Sequence, residues 1–395
     1  MNKALACLGL FVAAALSGCG GNANPPDAAP ANVVITPRDG AVSISFTQEP
    51  GLTYSVFYAE APSIAFDGRA SLPGYRNVYN VSSPKAITGL VNGTTYSFIM
   101  AASSDGSKVG PASASVSVVP RLAGATWAAG TPLGTIDYHG VTYDKTRFFA
   151  VGDGGALRSS ADAVSWTSLS SGTTARLNSV LFANTRYVAV GDSGAIVLST
   201  DAGVTWVGQT IVTPNALRGL GYFGSQFVAV GDQGTILTSS DGANWTARNS
   251  GTTRALFGVA ASAGRVVVVG AGGTLLTSTD LVNWSPVASP LSVDLRSAVY
   301  GNSAFVVVGN AGTVLTSTDG LNWVQASVPL AENLHAVTYG SQFVATGANG
   351  AIVTSIDGGS WVRASSGTNS QLDAVVFGAG LYSALGAVGA NLITP

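Results

Sequence analysis

The sequence predicts an all-β protein, an N-terminal β-sandwich followed by a seven-bladed β-propeller. Three observations carry this. Seven tryptophans, Trp127, Trp166, Trp206, Trp245, Trp284, Trp323 and Trp361, stand 39, 40, 39, 39, 39 and 38 residues apart, and the chain has no others. A Gly-x-x-Gly turn recurs with them, starting at Gly152, Gly191, Gly231, Gly270, Gly309, Gly347 and Gly386. Short apolar runs bounded by turn residues fill the intervals. A fixed period near 40 built from short strands means one propeller blade per repeat.

The chain opens with Met1-Asn2-Lys3, an apolar run from Ala4 to Leu16, and Leu16-Ser17-Gly18-Cys19. A positive start, a short apolar core and small residues before a cut describe a secretory signal peptide over residues 1–18, not a spanning helix. The Leu-Ser-Gly-Cys ending resembles a bacterial lipobox, which implies that Cys19 becomes a lipid-bearing terminus. Gly20 follows it where sorted lipoproteins retained in the inner membrane carry Asp, so that resemblance points to the outer membrane. Cys7 falls in the removed segment, leaving no thiol pair for a disulfide or a Cys-based metal site. No later run reaches the roughly 18 apolar residues of a transmembrane helix. With 10% charged residues, a formal net charge of −2 and no basic stripe, nucleic-acid binding is not expected.

Residues 19–31 (GGNANPPDAAPA from Gly20) read as a flexible tether. Residues 32–120 carry alternating runs such as Val42-Ser-Ile-Ser-Phe46 and Tyr96-Ser-Phe-Ile-Met100, a β-sandwich pattern. The stretch Ile87-Thr-Gly-Leu90-Val-Asn-Gly93-Thr-Thr-Tyr96 resembles the E–F corner of a fibronectin type III domain, with Tyr96 as the tyrosine corner. Phe46 stands where many members place Trp. The resemblance implies a spacer module.

Residues 121–395 form the propeller. Each unit has an inner strand such as Leu177 to Phe182, a second strand, the Gly-x-x-Gly turn, a third strand, an Asp-containing turn, and a short strand bearing the Trp. Seven glycine turns face only six Asp turns, at Asp162, Asp201, Asp241, Asp280, Asp319 and Asp357, and Trp127 precedes every complete unit. Trp127 therefore supplies the outermost strand of blade seven from the N-terminal side, closing the ring.

Ser199-Thr-Asp201-Ala-Gly203-Val-Thr205-Trp206 matches the Asp-box pattern, and the other five boxes are one residue shorter. An Asp in a tight turn accepts backbone N–H bonds just downstream, so these six are read as structural rather than as ligands. The repeats resemble sialidase-type Asp-box propellers and, more closely, photosystem II stability/assembly-factor-like propellers. The run Phe227-Val-Ala-Val-Gly231-Asp-Gln-Gly234-Thr-Ile-Leu-Thr-Ser-Ser-Asp241-Gly-Ala-Asn-Trp245 carries the second likeness, which implies a scaffold or assembly role. A sialidase would need an arginine cluster, a Tyr–Glu pair and an acid Asp. The propeller holds one glutamate, Glu332, and its recurring tyrosines share a core column with Phe182 and Phe377. No catalytic constellation is found.

One column breaks the repeat. Just after the residue that opens each inner strand stand His139, Asn178, Arg218, Phe257, Arg296, His335 and Asp373, mixed in charge and size, and both histidines of the chain are among them. Strand order puts this column, with Arg176 and Arg254 of the preceding loops, at one mouth of the central channel. The mouth is the candidate partner-binding rim. His335, Asp373 and His139 fall on neighbouring blades and have the ligand types of a Zn or Mn site. A protein zinc site wants three or four well-placed ligands, so a hydrogen-bonded rim without metal is the reading adopted.

The function expected is that of a monomeric, lipid-anchored envelope protein. Its propeller is a non-catalytic platform for a protein or envelope polysaccharide, without a cofactor. A glycan-active, sialidase-like hydrolase and a ligand-free display protein are the alternatives.

Overall fold

The computed structural model describes residues 25–67, 69–104, 108–120, 124 and 126–394. The signal peptide, Cys19 and the first part of the tether lie outside them. The chain divides into two compact units. The first comprises Ser45–Lys85, Tyr96–Ser117 and the described residues up to Val34. The second comprises Ile35–Ile44, Ala86–Thr95 and everything from Val118 on. The units thus interleave along the chain where the sequence reading drew one boundary near residue 120.

In the first unit the strand Thr53–Ala59 lies between Arg76–Val78 and Tyr96–Ser103, and the latter also pairs Val109–Ala112 and Val116–Val118. Its core holds Phe57, Ala59, Ile64, Ile99 and Ala101. Phe46 is buried and its ring lies 4.8 Å from that of Tyr54. Tyr96 is buried too, with its hydroxyl 3.4 Å from a Glu60 carboxylate oxygen.

The second unit is dominated by seven four-stranded antiparallel sheets. Sheet two is representative: Leu177–Ala183, Arg186–Gly191, Ile196–Ser199 and Val207–Gly208. Second strands are mostly apolar because both their faces are covered, and Tyr187 to Val190 have no exposed surface. Fourth strands are short and exposed, as in Val207–Gly208. Among the described residues no hydrogen-bonded ladder joins one four-stranded sheet to the next. Instead the first strands of successive sheets pack side by side, and that of sheet seven also lies beside that of sheet one.

Sheet seven contains Leu372–Gly378, Leu381–Gly386 and Asn391–Ile393, and its fourth strand is Ala128–Ala129, paired with Ile393 and Leu392. Gly130 N–H and Leu133 N–H continue the junction by donating to the Asn391 and Gly389 carbonyls. The tryptophans sit one residue before their outer strands rather than on them. In five of the seven, indole Nε1–H donates to the carbonyl three residues back, as from Trp245 to Gly242 at 2.9 Å, and at Trp166, Trp206, Trp245 and Trp361 the ring thereby closes the Asp turn. Trp206 packs against Phe149 of sheet one and Tyr187 of its own sheet, at ring separations of 6.1 and 5.7 Å. One indole thus joins two sheets.

The Gly-x-x-Gly turns are dense. The third residue of each turn is left-handed, from Gly154 (φ 62°) to Val388 (φ 53°), and the closing glycine follows at φ of 66–75°. A Cβ on that closing glycine would overlap the carbonyl of the loop entering the next sheet, Thr213 in the case of Gly194. Strain and close approach coincide there, so only glycine fits.

Candidate functional site

The mouth of the channel is made by a defect repeated in all seven first strands. Leu177 faces Gly191 and Ser179 faces Val190, leaving Asn178 as the extra residue of a β-bulge. The same shift isolates His139, Arg218, Phe257, Arg296, His335 and Asp373 in the other sheets. A bulge frees one residue from the ladder and re-aims its side chain. The seven irregular residues are thereby released toward a common cavity of about 200 Å³. Below them come seven small residues, among them Gly140, Ser179 and Gly219, and then an apolar tier that includes Val141, Leu220 and Val375. The small tier follows from crowding: a Cβ on Gly140 would lie 2.9 Å from Ser179 Cα of the neighbouring first strand.

The rim residues are tied down sheet by sheet. Arg218 grips Asp232 with two bonds, Nε to Oδ1 at 3.0 Å and Nη2 to Oδ2 at 2.8 Å. Asn178 Nδ2 donates to Asp192 Oδ1 at 2.9 Å and to the Leu217 carbonyl. Arg296 donates to Asn310 Oδ1 at 3.1 Å and Asp294 Oδ2 at 3.2 Å, with its guanidinium 4.9 Å from the Phe257 ring centre. Arg254 Nη1 donates to the Gly272 carbonyl. Asp153, Asp192, Asp232 and Asn310 all occupy the first position after the opening glycine of their turns. That position is Ala in sheets four, six and seven, at Ala271, Ala348 and Ala387. The rim residues of those three sheets must find partners elsewhere.

His335 and Asp373 find each other, with Nδ1 2.8 Å from Oδ1. Gln371 Nε2 donates to both oxygens of Asp373, at 2.8 and 3.1 Å. His139 turns Nε2 to Asp153 Oδ1 at 2.9 Å, and Arg176 Nη2 lies 3.2 Å from its Nδ1. A guanidinium only donates, so Nδ1 accepts and the proton sits on Nε2. Asp373 Oδ2 is 3.8 Å from that Nδ1, too far for a hydrogen bond. The His–Asp–His arc is therefore assembled, but as hydrogen-bonded pairs with both His139 nitrogens engaged. Among the described residues no group of three His, Cys, Asp or Glu side chains is placed to hold a metal ion. Burial pushes the Asp373 carboxyl up, but the hydrogen bonds it takes from the His335 imidazole and the Gln371 amide outweigh it and hold it well below the usual carboxylate range.

The six Asp turns lie at the other end of the sheets, beside the hairpins joining first and second strands; Arg147 of one such hairpin donates to the Ala202 carbonyl at 2.7 Å. In every turn the Ser two residues earlier donates to the aspartate, for Asp162, Asp201, Asp241, Asp280, Asp319 and Asp357 alike. Asp241, Asp280 and Asp319 take two backbone N–H bonds and an Asn amide each. The longer turn uses Asp201 on Thr205, whose hydroxyl and N–H both donate to it, and these bonds with Ser199 lower its pKa to about 2. Asp241, Asp280, Asp319 and Asp357 are lowered in the same way.

A depressed folded-state pKa contributes stability above the ordinary carboxylate value and loses it as pH falls through the folded one. The melting temperature is therefore expected to fall steadily between about pH 4 and about pH 2, and Asp241→Asn to make that fall shallower. A scan of melting temperature against pH checks this; a flat profile would show that these carboxylates hold nothing.

The sequence shows neither the bulges nor the pairing of four rim side chains, His139, Asn178, Arg218 and Arg296, with the residue 14 positions on. The second leaves a trace: Asp or Asn follows the opening glycine only in sheets one, two, three and five. Among the described residues no helix is long and apolar enough to cross a membrane.

No protein-family model matches the sequence, nor does any curated protein. Solved structures do resemble it. A structure described as YCF48 bound to D1 peptide superposes with a TM-score of 0.57 at 20% identity, covering 68% of this chain and 94% of that one. YCF48 from Cyanidioschyzon merolae gives 0.56 at 17% identity, covering 68% and 98%. The WD40 β-propeller domain of Doa1 gives 0.58 at 12% identity, covering 69% and 97%. At such identities the likeness speaks to the fold alone: most of this chain is a β-propeller.

Proposed function

We propose that this protein is a lipid-anchored envelope protein whose propeller is a non-catalytic platform for a protein segment. One observation carries the reading: seven bulges release the irregular column His139, Asn178, Arg218, Phe257, Arg296, His335 and Asp373 into a single cavity. In this reading the seven sheets are blades, Ala128–Ala129 closes the ring, and the fibronectin-like region is a spacer above a lipid on Cys19 in the outer membrane. The Leu-Ser-Gly-Cys sequence supports the anchor, and the fold likeness to a YCF48 structure holding a peptide supports a protein partner. The non-catalytic reading is supported by Glu332, which is paired with Arg363 at 3.0 Å and has no place in the mouth cavity.

The test is capture from the native envelope by protein starting at Gly20, beside a variant with His139, Arg218, Arg296 and His335 changed to alanine and its melting checked. A partner lost from the folded variant places the site at the mouth. Equal capture by both moves it to the Asp-turn face or the fibronectin-like region, and an envelope polysaccharide captured in place of protein changes the partner class.

A further inference from the structure

We propose that the ring has one junction able to open, between sheets seven and one, and that residues 35–44 and 86–95 are the clasp holding it shut. This rests on reading the seven sheets as a closed ring and is independent of what the mouth binds. The closing junction differs from the other six in its packing. In each of those six, aliphatic third-strand residues of the two sheets share one packed cluster, as Ile196 and Leu237 do between sheets two and three. The same two positions at the closing junction hold Asn391 and Arg158. Asn391 is buried, its Nδ2 donates to the Thr131 and Ala163 carbonyls at 3.2 and 3.3 Å, and its Oδ1 has no hydrogen-bond partner among the described residues. Replacing an aliphatic pair by an amide and a guanidinium removes apolar burial and leaves polar atoms to be satisfied. The junction is therefore held less firmly by its own side chains.

Two segments from the N-terminal side, both within the second unit, supply what the junction lacks. Asp39 N–H donates at 2.9 Å to the carbonyl of Gly380, in the hairpin joining the first and second strands of sheet seven. Arg38 and Ala41 lie so close that a Cβ on Gly380 would come within 3.3 Å of both their Cβ atoms. Arg38 also reaches sheet one. Burial lowers its pKa, while the Asp162 carboxylate and the Tyr143 phenol of sheet one act in the opposite direction. Asn92 fastens the two segments together, donating from Nδ2 to Asp39 Oδ1 at 2.7 Å and accepting the Gly40 N–H at 2.8 Å. Leu90 N–H adds a bond to the Gly40 carbonyl. The clasp thus holds sheet seven by a hydrogen bond and sheet one by charge. Its grip is limited, because Arg38 Nη1 and Asp39 Oδ2 are buried without a hydrogen bond among the described residues, and such atoms subtract from stability. A contact of this kind can be released without unfolding either sheet.

Thiol accessibility tests this in the full chain carrying Cys7→Ser and Cys19→Ser, which leaves an introduced thiol alone. Ala150→Cys puts that thiol in the closing junction, beside Leu133, Tyr138 and Leu385. Ala229→Cys puts it at the matching position between sheets two and three, and both alanines are fully buried. Under native conditions the Ala150→Cys thiol should react with an aromatic disulfide reagent at least about tenfold faster than the Ala229→Cys thiol, with folding of each checked by melting. Adding Asn92→Ala, at an exposed position, should speed the first thiol about tenfold more and leave the second unchanged. Equally slow reaction at the two positions would overturn the proposal and leave the closed ring standing. Equally fast reaction at both would overturn the ring as well. A fast Ala150→Cys thiol indifferent to Asn92→Ala would overturn the clasp.

Discussion

Gly194→Ala should lower the stability of the sheet-bearing unit by about 2–4 kcal/mol, although it adds a single methyl group. Gly194 sits at φ 72°, where an L-residue is strained by about 1–2 kcal/mol. Its new Cβ would also collide with the Thr213 carbonyl of the loop entering sheet three, and backbone cannot rotate away as a side chain can. Gly208→Ala is the comparator, because that glycine has nothing within 4 Å of an added Cβ and lies on an exposed outer strand. Its effect should stay within about 0.5 kcal/mol. Denaturant unfolding of the two variants side by side checks this. Equal midpoints would mean that the turns tolerate movement and that sheet-to-sheet packing is looser than the geometry indicates.

Trp127→Ala should unsettle residues 250 positions away. Trp127 packs against the cluster of Leu372, Val375, Tyr382 and Leu392 in sheet seven, with its ring centre 6.4 Å from that of Tyr382. It also leads directly into Ala128–Ala129, the fourth strand of that sheet. Truncating a large, partly buried aromatic costs about 2–4 kcal/mol, at or somewhat below the range for a fully buried one. Hydrogen exchange is the measurement. Residues 126–133 and 372–394 should lose protection together, and melting should remain a single transition at lower temperature. Loss confined to 126–133 would show that sheet seven holds without its N-terminal strand and that the ring closure proposed above contributes little.

What was legible in the sequence was whatever repeats. The Trp interval, the glycine turns and the Ser-x-Asp pairs each arise because one packing problem is solved again in every sheet, so seven weak local signals add up to a strong one. The count of seven glycine turns against six Asp turns likewise points to an outer strand at Trp127. The pattern of compact units was not legible, because residues 35–44 and 86–95 belong with the sheet-bearing unit through long-range contacts that leave no period. The sequence places the tryptophans on the outer strands, and they stand one residue before them, at the end of the turn.

The candidate site was half legible. The column His139, Asn178, Arg218, Phe257, Arg296, His335 and Asp373 stood out because it varies where its neighbours do not. Its electrostatics did not, because charge at a surface depends on which acceptor each guanidinium finds. Arg218 reads as a free cation in sequence and is one half of a bidentate pair in space.

The bulge at each mouth position has one more implication. A residue left out of its ladder contributes little to the register of the strand that carries it. Replacing Phe257 or Asn178 by another side chain alters no backbone pairing in its sheet, while the leucines immediately before them, Leu256 and Leu177, are fully buried. In the platform reading proposed above, recognition would be written on residues adjacent to those that fold the sheet yet kept mechanically apart from them. On that reading the mouth contacts could be rewired one position at a time, and a graft of new specificity would begin at these seven places.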